Sequence, residues 1–530
     1  MTKLVLFAAA AALAASAASA QPLSPYASAG QQQAAMKDGR VSSEALVRAY
    51  FDRIAEIDRA GPKLNSVIAL SPRAITDARR LDAERAAGKL RGPLHGIPVL
   101  LKDNIEADIG LPTTAGSLAL ADNVTGRDAP IVKRLTDAGA VILGKTNLSE
   151  WANFRSTRSI SGWSAVGGLT RNPYSLDRTA CGSSSGSGAA IAAGIGAVAI
   201  GTETNGSITC PAAMTGVVGL KPTVGLVSRT HIVPISPAQD TAGPMTRTVA
   251  DAAAVLSVLA GSDPADPATA QADGKKADYL KALDRNALKG QRIGVWNPMK
   301  GRLPELDLAF DRALQDLKAA GAELIELKGP PEAELEKVGS TSGELLRWEF
   351  KAALNDYLAT TPPAVKARTL DALIAFNKSE PREMPLFGQE IFEQAAKAPP
   401  AADAAMQAKR AEIRKLAAAA LDRMLADGKV VAIVAPSGGP AAIVDPVTGG
   451  RFFGSPSTLP AVSGHPHLTV PMGQVGGAPV GISFLGPAWS EARLLGLGFA
   501  YEQQSRARRE PDFLASVAKR PDVAEAFDPR

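Results

Sequence analysis

Apolar residues recur along this chain in two periods. Leu46, Tyr50, Ile54 and Ile57 fall three or four apart behind Ser42 and Ser43, either of which can cap a helix, and Gly61-Pro62 stops it. "ARRLDAERAAGK", residues 248–260 and residues 491–503 read as further helices. Short apolar runs bounded by glycine or proline read as buried strands: 97–101, which carries Lys102-Asp103 at its end, then 140–143, 197–200 and 291–295. "VVGLKPTVGLVS" is strand-like with turns, and "VVAIVAP", "HLTVPMG" and "PVGISFLG" restore strand character near the end. Residues 21–40 read as a loose lead-in and 156–180 as a long irregular loop. From about 305 to 425 the pattern is helical and more polar, broken at "TTPP" and "KAPPAADAA". Strands and helices are mixed throughout, and no linker divides them. The expected fold is therefore one large α/β domain, a mixed sheet covered by helices, with a helical insertion.

Composition narrows the function. The 530 residues are 45% apolar and 21% charged, enough for a large core. The net charge of +5 is small and scattered, with no basic stripe carrying aromatic residues, so no nucleic-acid partner is expected. Four histidines, with neither CxxC nor HExxH, give no metal or cofactor expectation. "MTKLVLFAAAAALAASAASA" has Lys3, an apolar run and a final Ala18-Ser19-Ala20. It reads as a secretory leader at 1–20, cut after Ala20, with a periplasmic or secreted mature chain at 21–530. No later stretch has the length of a membrane span. Cys181 and Cys210 read as two separately packed thiols, though a bridge between them is conceivable.

Several motifs offer chemistry. "GAVILGKT", 139–146, fits a phosphate-loop pattern, but its Ala-Val-Ile-Leu centre wants to be a strand, which would occupy the amides a phosphate needs. Gly182-Ser183-Ser184-Ser185-Gly186 fits a nucleophile elbow, with His231, His465 or His467 as base, yet a polar, turn-forming segment precedes it instead of a buried strand. Lys102 closes an apolar run. It is either a neutral base, dried by burial, or the salt-bridge partner of Asp103. Ser207 follows Thr204-Asn205-Gly206, a tight turn that either points amides at one spot or is only a turn.

Together, "GIPVLLKDNI", "CGSSSGSGAA" and "GTETNGSITCPAA" resemble the amidase signature family, whose two serines stand 24 positions apart, as Ser183 and Ser207 do. The resemblance covers about 40–260 and 430–505 and fades over 305–425. It implies a hydrolase of carboxylic or peptide C-terminal amides that needs no cofactor. Ser207 would be the nucleophile, Ser183 the relay and Lys102 the neutral base, with the amides of Thr204, Asn205, Gly206 and Ser207 as oxyanion hole. Ser185, Gly188, Glu203, Asn205 and Thr209 depart from the family's usual Gly, Ala, Asp, Gly and Arg. Asparagine's tolerance of positive φ would keep the turn at 205. A missing arginine at 209 argues against substrates held by a charge and against a role in an amidotransferase. The stretch "VPISPAQDTAGPMTRTVADAAAVL" is most similar to the branch containing bacterial peptide amidases. Substrate contacts are expected from the loop 152–170 and from the helices of 305–425. An esterase or aryl acylamidase at the same site, or a non-catalytic binding protein on this scaffold, is the alternative. The chain is expected to act as a monomer or homodimer.

Overall fold

Short apolar runs become the strands of a large sheet in the computed structural model of the chain, which describes residues 23–449 and 453–527. The expected leader at 1–20 lies outside the described residues. The strands are β1 (Val67–Leu70), β2 (Pro98–Lys102), β3 (Val141–Thr146), β4 (Trp163–Ser164), β5 (Gly168–Leu169), β6 (Arg171–Asn172), β7 (Ser175–Thr179), β8 (Val198–Glu203), β9 (Val218–Lys221), β10 (Thr241–Thr246), β11 (Arg292–Val295), β12 (Glu323–Glu326), β13 (Ala432–Pro436), β14 (His467–Val475) and β15 (Ala478–Leu485). Eleven of them form one sheet in the order β1-β3-β2-β8-β10-β9-β14-β15-β13-β11-β12. The pairs β2–β3, β2–β8, β11–β12 and β11–β13 are parallel, and the others are antiparallel. This is the expected single α/β domain with a mixed sheet.

Burial on both faces explains why β2 reads as a continuous apolar run. Val99 and Leu101 pack with Ile142, Val198 and Ile200 on one face. Leu100 packs with Val141, Ala199 and Ile191 on the other, where the helix Ser185–Ala192 lies. Two residues beyond Leu100, Lys102 belongs to that second face. The alternation thus aims a lysine at the segment that bears the serine cluster.

The expected strand at 140–143 runs on to Thr146, so Gly144 and Lys145 of "GAVILGKT" are sheet residues, and a phosphate loop is ruled out. The lead-in at 21–40 is not loose. It contains the helix Ala29–Lys37, capped by Ser28 and Gln31, whose first amides at Ala29 and Gly30 donate to the Asp251 carboxylate at 3.0 and 3.1 Å. A helix of alanine and glutamine has no strong apolar stripe to announce it. The loop 156–180 contains two small ribbons, β4–β5 and β6–β7. Residues 305–425 are helical as expected, in Pro304–Ala319, Glu332–Ala359, Leu370–Ser379, Glu390–Ala396 and Ala404–Gly428, with the edge strand β12 among them. Among the described residues, no helix is long and apolar enough to cross a membrane.

Candidate active site

Lys102 ends β2 with its side chain fully buried. Its Nζ donates to Ser183 Oγ at 2.7 Å, Thr202 Oγ1 at 2.8 Å and the Thr202 carbonyl at 3.2 Å. No carboxylate among the described residues touches it. Asp103, the alternative partner, accepts instead from Lys145 Nζ at 2.9 Å and from Thr114. Lys145 also donates to the Ile105 carbonyl at 2.6 Å and Thr113 Oγ1 at 2.9 Å. The two adjacent charges are thereby separated: Asp103 is neutralised from β3, and Lys102 is left with uncharged acceptors. Burial pushes Lys102 down to about 7, against a weaker upward pull from Asp240 and Glu203. The three donated bonds are those of the ammonium; once neutral, the amine keeps two N–H groups and its lone pair can accept from the Ser183 hydroxyl in place of one of them.

Ser183 and Ser207 come from neighbouring segments. Ser183 lies just before the helix Ser185–Ala192, and Ser207 lies between β8 and the helix Thr209–Met214. The Ser184 amide donates to the Ser207 carbonyl at 3.1 Å, and the Ser149 amide to the Ser183 carbonyl at 3.0 Å. The hydroxyl of Ser183 is buried on Lys102, whereas Ser207, 8% exposed, opens into a cleft of about 420 Å³. Ser207 Oγ has no hydrogen-bond partner among the described residues. Gly206, at φ +81°, takes the left-handed position of the turn. Asn205 does not, contrary to expectation; its side chain accepts from Ser457 Oγ at 2.7 Å and donates to Thr458 Oγ1 at 3.3 Å. No described acceptor takes the N–H of Asn205, Gly206 or Ser207, so the turn offers free donors beside the Ser207 hydroxyl. Thr204 is held through its hydroxyl, which donates to Asp240 Oδ1 at 2.6 Å, and through its carbonyl, which accepts from Gln239 Nε2 at 3.2 Å.

Glu203, in place of the usual aspartate, still caps the turn: its Oε2 accepts from the amides of Ile208 and Thr209 at 2.8 and 3.0 Å. Thr209 is buried on Glu203, and it is Cys210 that faces the cleft. Cys181 and Cys210 form a disulfide, which corrects the expectation of two separate thiols. They are 29 positions apart, but the fold brings their Cα atoms to 6.0 Å, within bridging distance, and the bridged segment contains both serines.

The elbow alternative fails on geometry. Ser184 is fully buried, with its Oγ donating to the Thr202 carbonyl at 3.1 Å. His467 pairs with Ser483 at 2.6 Å, and burial drives His467 down to about 3 and His465 to about 4. His231 lies beside Glu106 at 4.0 Å. No described histidine hydrogen-bonds to a serine of the cluster.

The cleft at Ser207 is lined by the expected loop, including Asn153, Phe154 and Ser161, and by Ser455, Ser457 and Thr458, with no charged side chain among the described residues. No described residue of 305–425 lines this cavity. The helices instead hold the loop from behind. Glu390 accepts from Ser156 Oγ at 2.8 Å and the Thr157 amide at 2.6 Å, and Arg155 pairs with Glu150 at 2.5 Å and Glu383 at 3.2 Å beneath the ring of Phe387. Burial and the neighbouring Glu383 raise Glu150 well above the usual carboxylate range, against the opposing pull of Arg155.

Thr202, Gln239, Asp240 and Lys145 are site residues to which the sequence assigns no role, although each lies inside a quoted motif. The available signal is polar residues interrupting apolar runs, as in "AIGTET" and "PAQDTAGPM".

A family model described as Amidase matches residues 45–495. A probable amidase of Arabidopsis thaliana is 38% identical over 91% of this chain and 90% of its own. The structure of a native peptide amidase from Stenotrophomonas maltophilia superposes with a TM-score of 0.87 at 50% identity, covering 92% of this chain and 99% of that one. The structure of an amidase family protein from Bacillus anthracis superposes with a TM-score of 0.82 at 36% identity, covering 92% of each chain.

Proposed function

The chain belongs to the amidase signature family and is an amide hydrolase, and on that footing we propose that it hydrolyses the C-terminal amide of peptides through an acyl-enzyme on Ser207. The observation that carries this reading is the buried Lys102 Nζ at 2.7 Å from Ser183 Oγ, beside a Ser207 that opens into the cleft. Neutral Lys102 accepts the Ser183 proton as Ser183 accepts that of Ser207, and Ser207 Oγ adds to the amide carbonyl. The contact between the two hydroxyls closes in the substrate complex, where catalytic hydrogen bonds tighten. The oxygen that gains charge meets the free amides of the turn 204–207. Ser183, reprotonated from Lys102, hands its proton to the departing nitrogen, which leaves as amine rather than as an anion. Water then cleaves the ester by the reverse proton path. The likeness to the peptide amidase supports the substrate class, and a cleft with no charged side chain among its described lining residues suits a neutral amide.

A serine-directed fluorophosphonate tests the nucleophile. Wild-type protein should gain one adduct, on the peptide containing Ser207, and Ser207→Ala should gain none; unchanged labelling of that variant would refute the assignment. We further propose export to the periplasm or medium, since a disulfide persists in oxidising compartments. Intact mass of the protein recovered from cells checks both points at once. A chain starting at Gln21 and lighter by two hydrogens than the fully reduced form is expected, and a retained leader or two free thiols would oppose the proposal.

A further inference from the structure

The helices of 305–425 line none of the described cleft, yet they reach the nucleophile turn through two chains of hydrogen bonds, one buried and one partly buried. Arg410, on the helix Ala404–Gly428, donates from Nη1 to Gln239 Oε1 at 2.8 Å. Ser342, on the helix Glu332–Ala359, donates to the same oxygen at 3.0 Å. Two donors on one end of the side-chain amide fix which end is oxygen. Gln239 is therefore held with its Nε2 toward the Thr204 carbonyl, 3.2 Å away. A second arm runs in parallel. Arg410 grips Glu349 with two bonds of 2.7 Å, Glu349 accepts from Ser236 Oγ, and the amides of Ile235 and Ser236 donate to Asp240 at 2.8 Å each. Asp240 accepts from Thr204 Oγ1. Both arms end on Thr204, the first residue of the turn.

The geometry of a peptide unit gives this a consequence. The Thr204–Asn205 bond is trans, so its carbonyl and its N–H point in opposite directions. A donor that pins the Thr204 carbonyl on the helical side turns the Asn205 N–H toward the cleft side, where no described acceptor takes it. Gln239 is 0% and Arg410 9% exposed, so water does not compete for these bonds, and a fully paired buried network is stiff. An oxyanion donor is effective in proportion to how well it is oriented before charge develops.

We propose that Gln239 and Arg410 are positioning residues for acylation: the helical insertion orients the Asn205 N–H toward the developing oxyanion by holding the Thr204 carbonyl from behind. The proposal rests on Ser207 being the nucleophile. On this proposal the effect of the helical region falls on the transition state, with little on ground-state binding.

Gln239→Glu is the discriminating variant. It keeps the shape and gives Arg410 a carboxylate to hold, but replaces the donor facing the Thr204 carbonyl with an acceptor. The expected result is a kcat lower by roughly 10- to 100-fold with KM changed less than about threefold, below the loss for deleting an oxyanion donor outright. A peptide aldehyde forms a hemiacetal oxyanion with Ser207, whereas the matched peptide alcohol does not. Aldehyde affinity should fall by the same factor as kcat, and alcohol affinity should hold. Unchanged kcat and aldehyde affinity, or aldehyde and alcohol weakening together, would overturn the proposal. If Gln239→Glu does not fold, Arg410→Lys is measured by the same pair of inhibitors, and a loss confined to the aldehyde is again required. A wild-type protein that binds aldehyde no better than alcohol would defeat the Ser207 reading itself, and the positioning proposal with it; that failure is recognisable because it precedes any variant.

Discussion

Replacing Lys102 by methionine is expected to lower kcat/KM by roughly three to four orders of magnitude while leaving the protein folded. Methionine matches the length and apolar stem of the lysine but has no lone pair to receive the Ser183 proton. The fold should survive because the site already rejects the charged form: the nitrogen is fully buried, and its pKa is lowered to about 7. The sign of the linked stability follows. The unfolded chain holds this proton up to the ordinary lysine value of 10.5, whereas the folded chain gives it up near 7. Between those values the unfolded state binds more protons, so this group's contribution to stability rises with pH and is least favourable below about 7. Methionine removes that penalty, and the variant should unfold at the wild-type temperature or above it at neutral pH. Thermal unfolding beside steady-state kinetics reads both effects; a variant that is inactive because it is unfolded would carry no weight for the base.

The second large effect belongs to Ser183. Ser183→Ala deletes the link between Lys102 and the nucleophile and the proton donor to the departing nitrogen, and leaves the turn 204–207 untouched. Amide turnover is expected to fall by roughly 10³-fold or more. Ester turnover should fall less, because an alkoxide leaves without a full proton from the enzyme. The ratio of amide to ester turnover on matched substrates should therefore drop by about 10-fold or more. An equal loss on both would place Ser183 outside the proton path to the leaving group. The same measurement on wild-type protein addresses the esterase alternative directly.

Much of this site is legible in the sequence because its parts are local. Lys102 ends an apolar run, and the period of a strand turns that run into a direction: the face of Leu100 is the face of Lys102, and it meets the helix after Ser183. Gly206 announces the turn before Ser207 because a left-handed residue is required there. What stays hidden depends on contacts between distant segments. That Asp103 belongs to Lys145 follows only from the pairing of β2 with β3, and the motif containing Lys145 points, as a string, to phosphate. Cys181 and Cys210 look like separate thiols until the segment between them folds back. Helix Ala29–Lys37 is stabilised by Asp251, more than 200 positions away, and so leaves almost no periodic trace. The helical insertion is expected to contact substrate because the family resemblance fades there, and only the bonds from Arg410 to Gln239 and from Gln239 to Thr204 reveal its link to the turn.

The central claim is that an uncharged Lys102 draws the proton of Ser207 through Ser183. The rate of Ser207 phosphonylation by a fluorophosphonate, followed by intact mass from about pH 5 to 9 in wild type and Lys102→Met, tests it most directly. In wild type the rate should rise through a single ionisation near 7 and level off above it, and in Lys102→Met it should be slow and flat across the same range. A variant that keeps both the wild-type rate and its rise near neutrality would contradict the account.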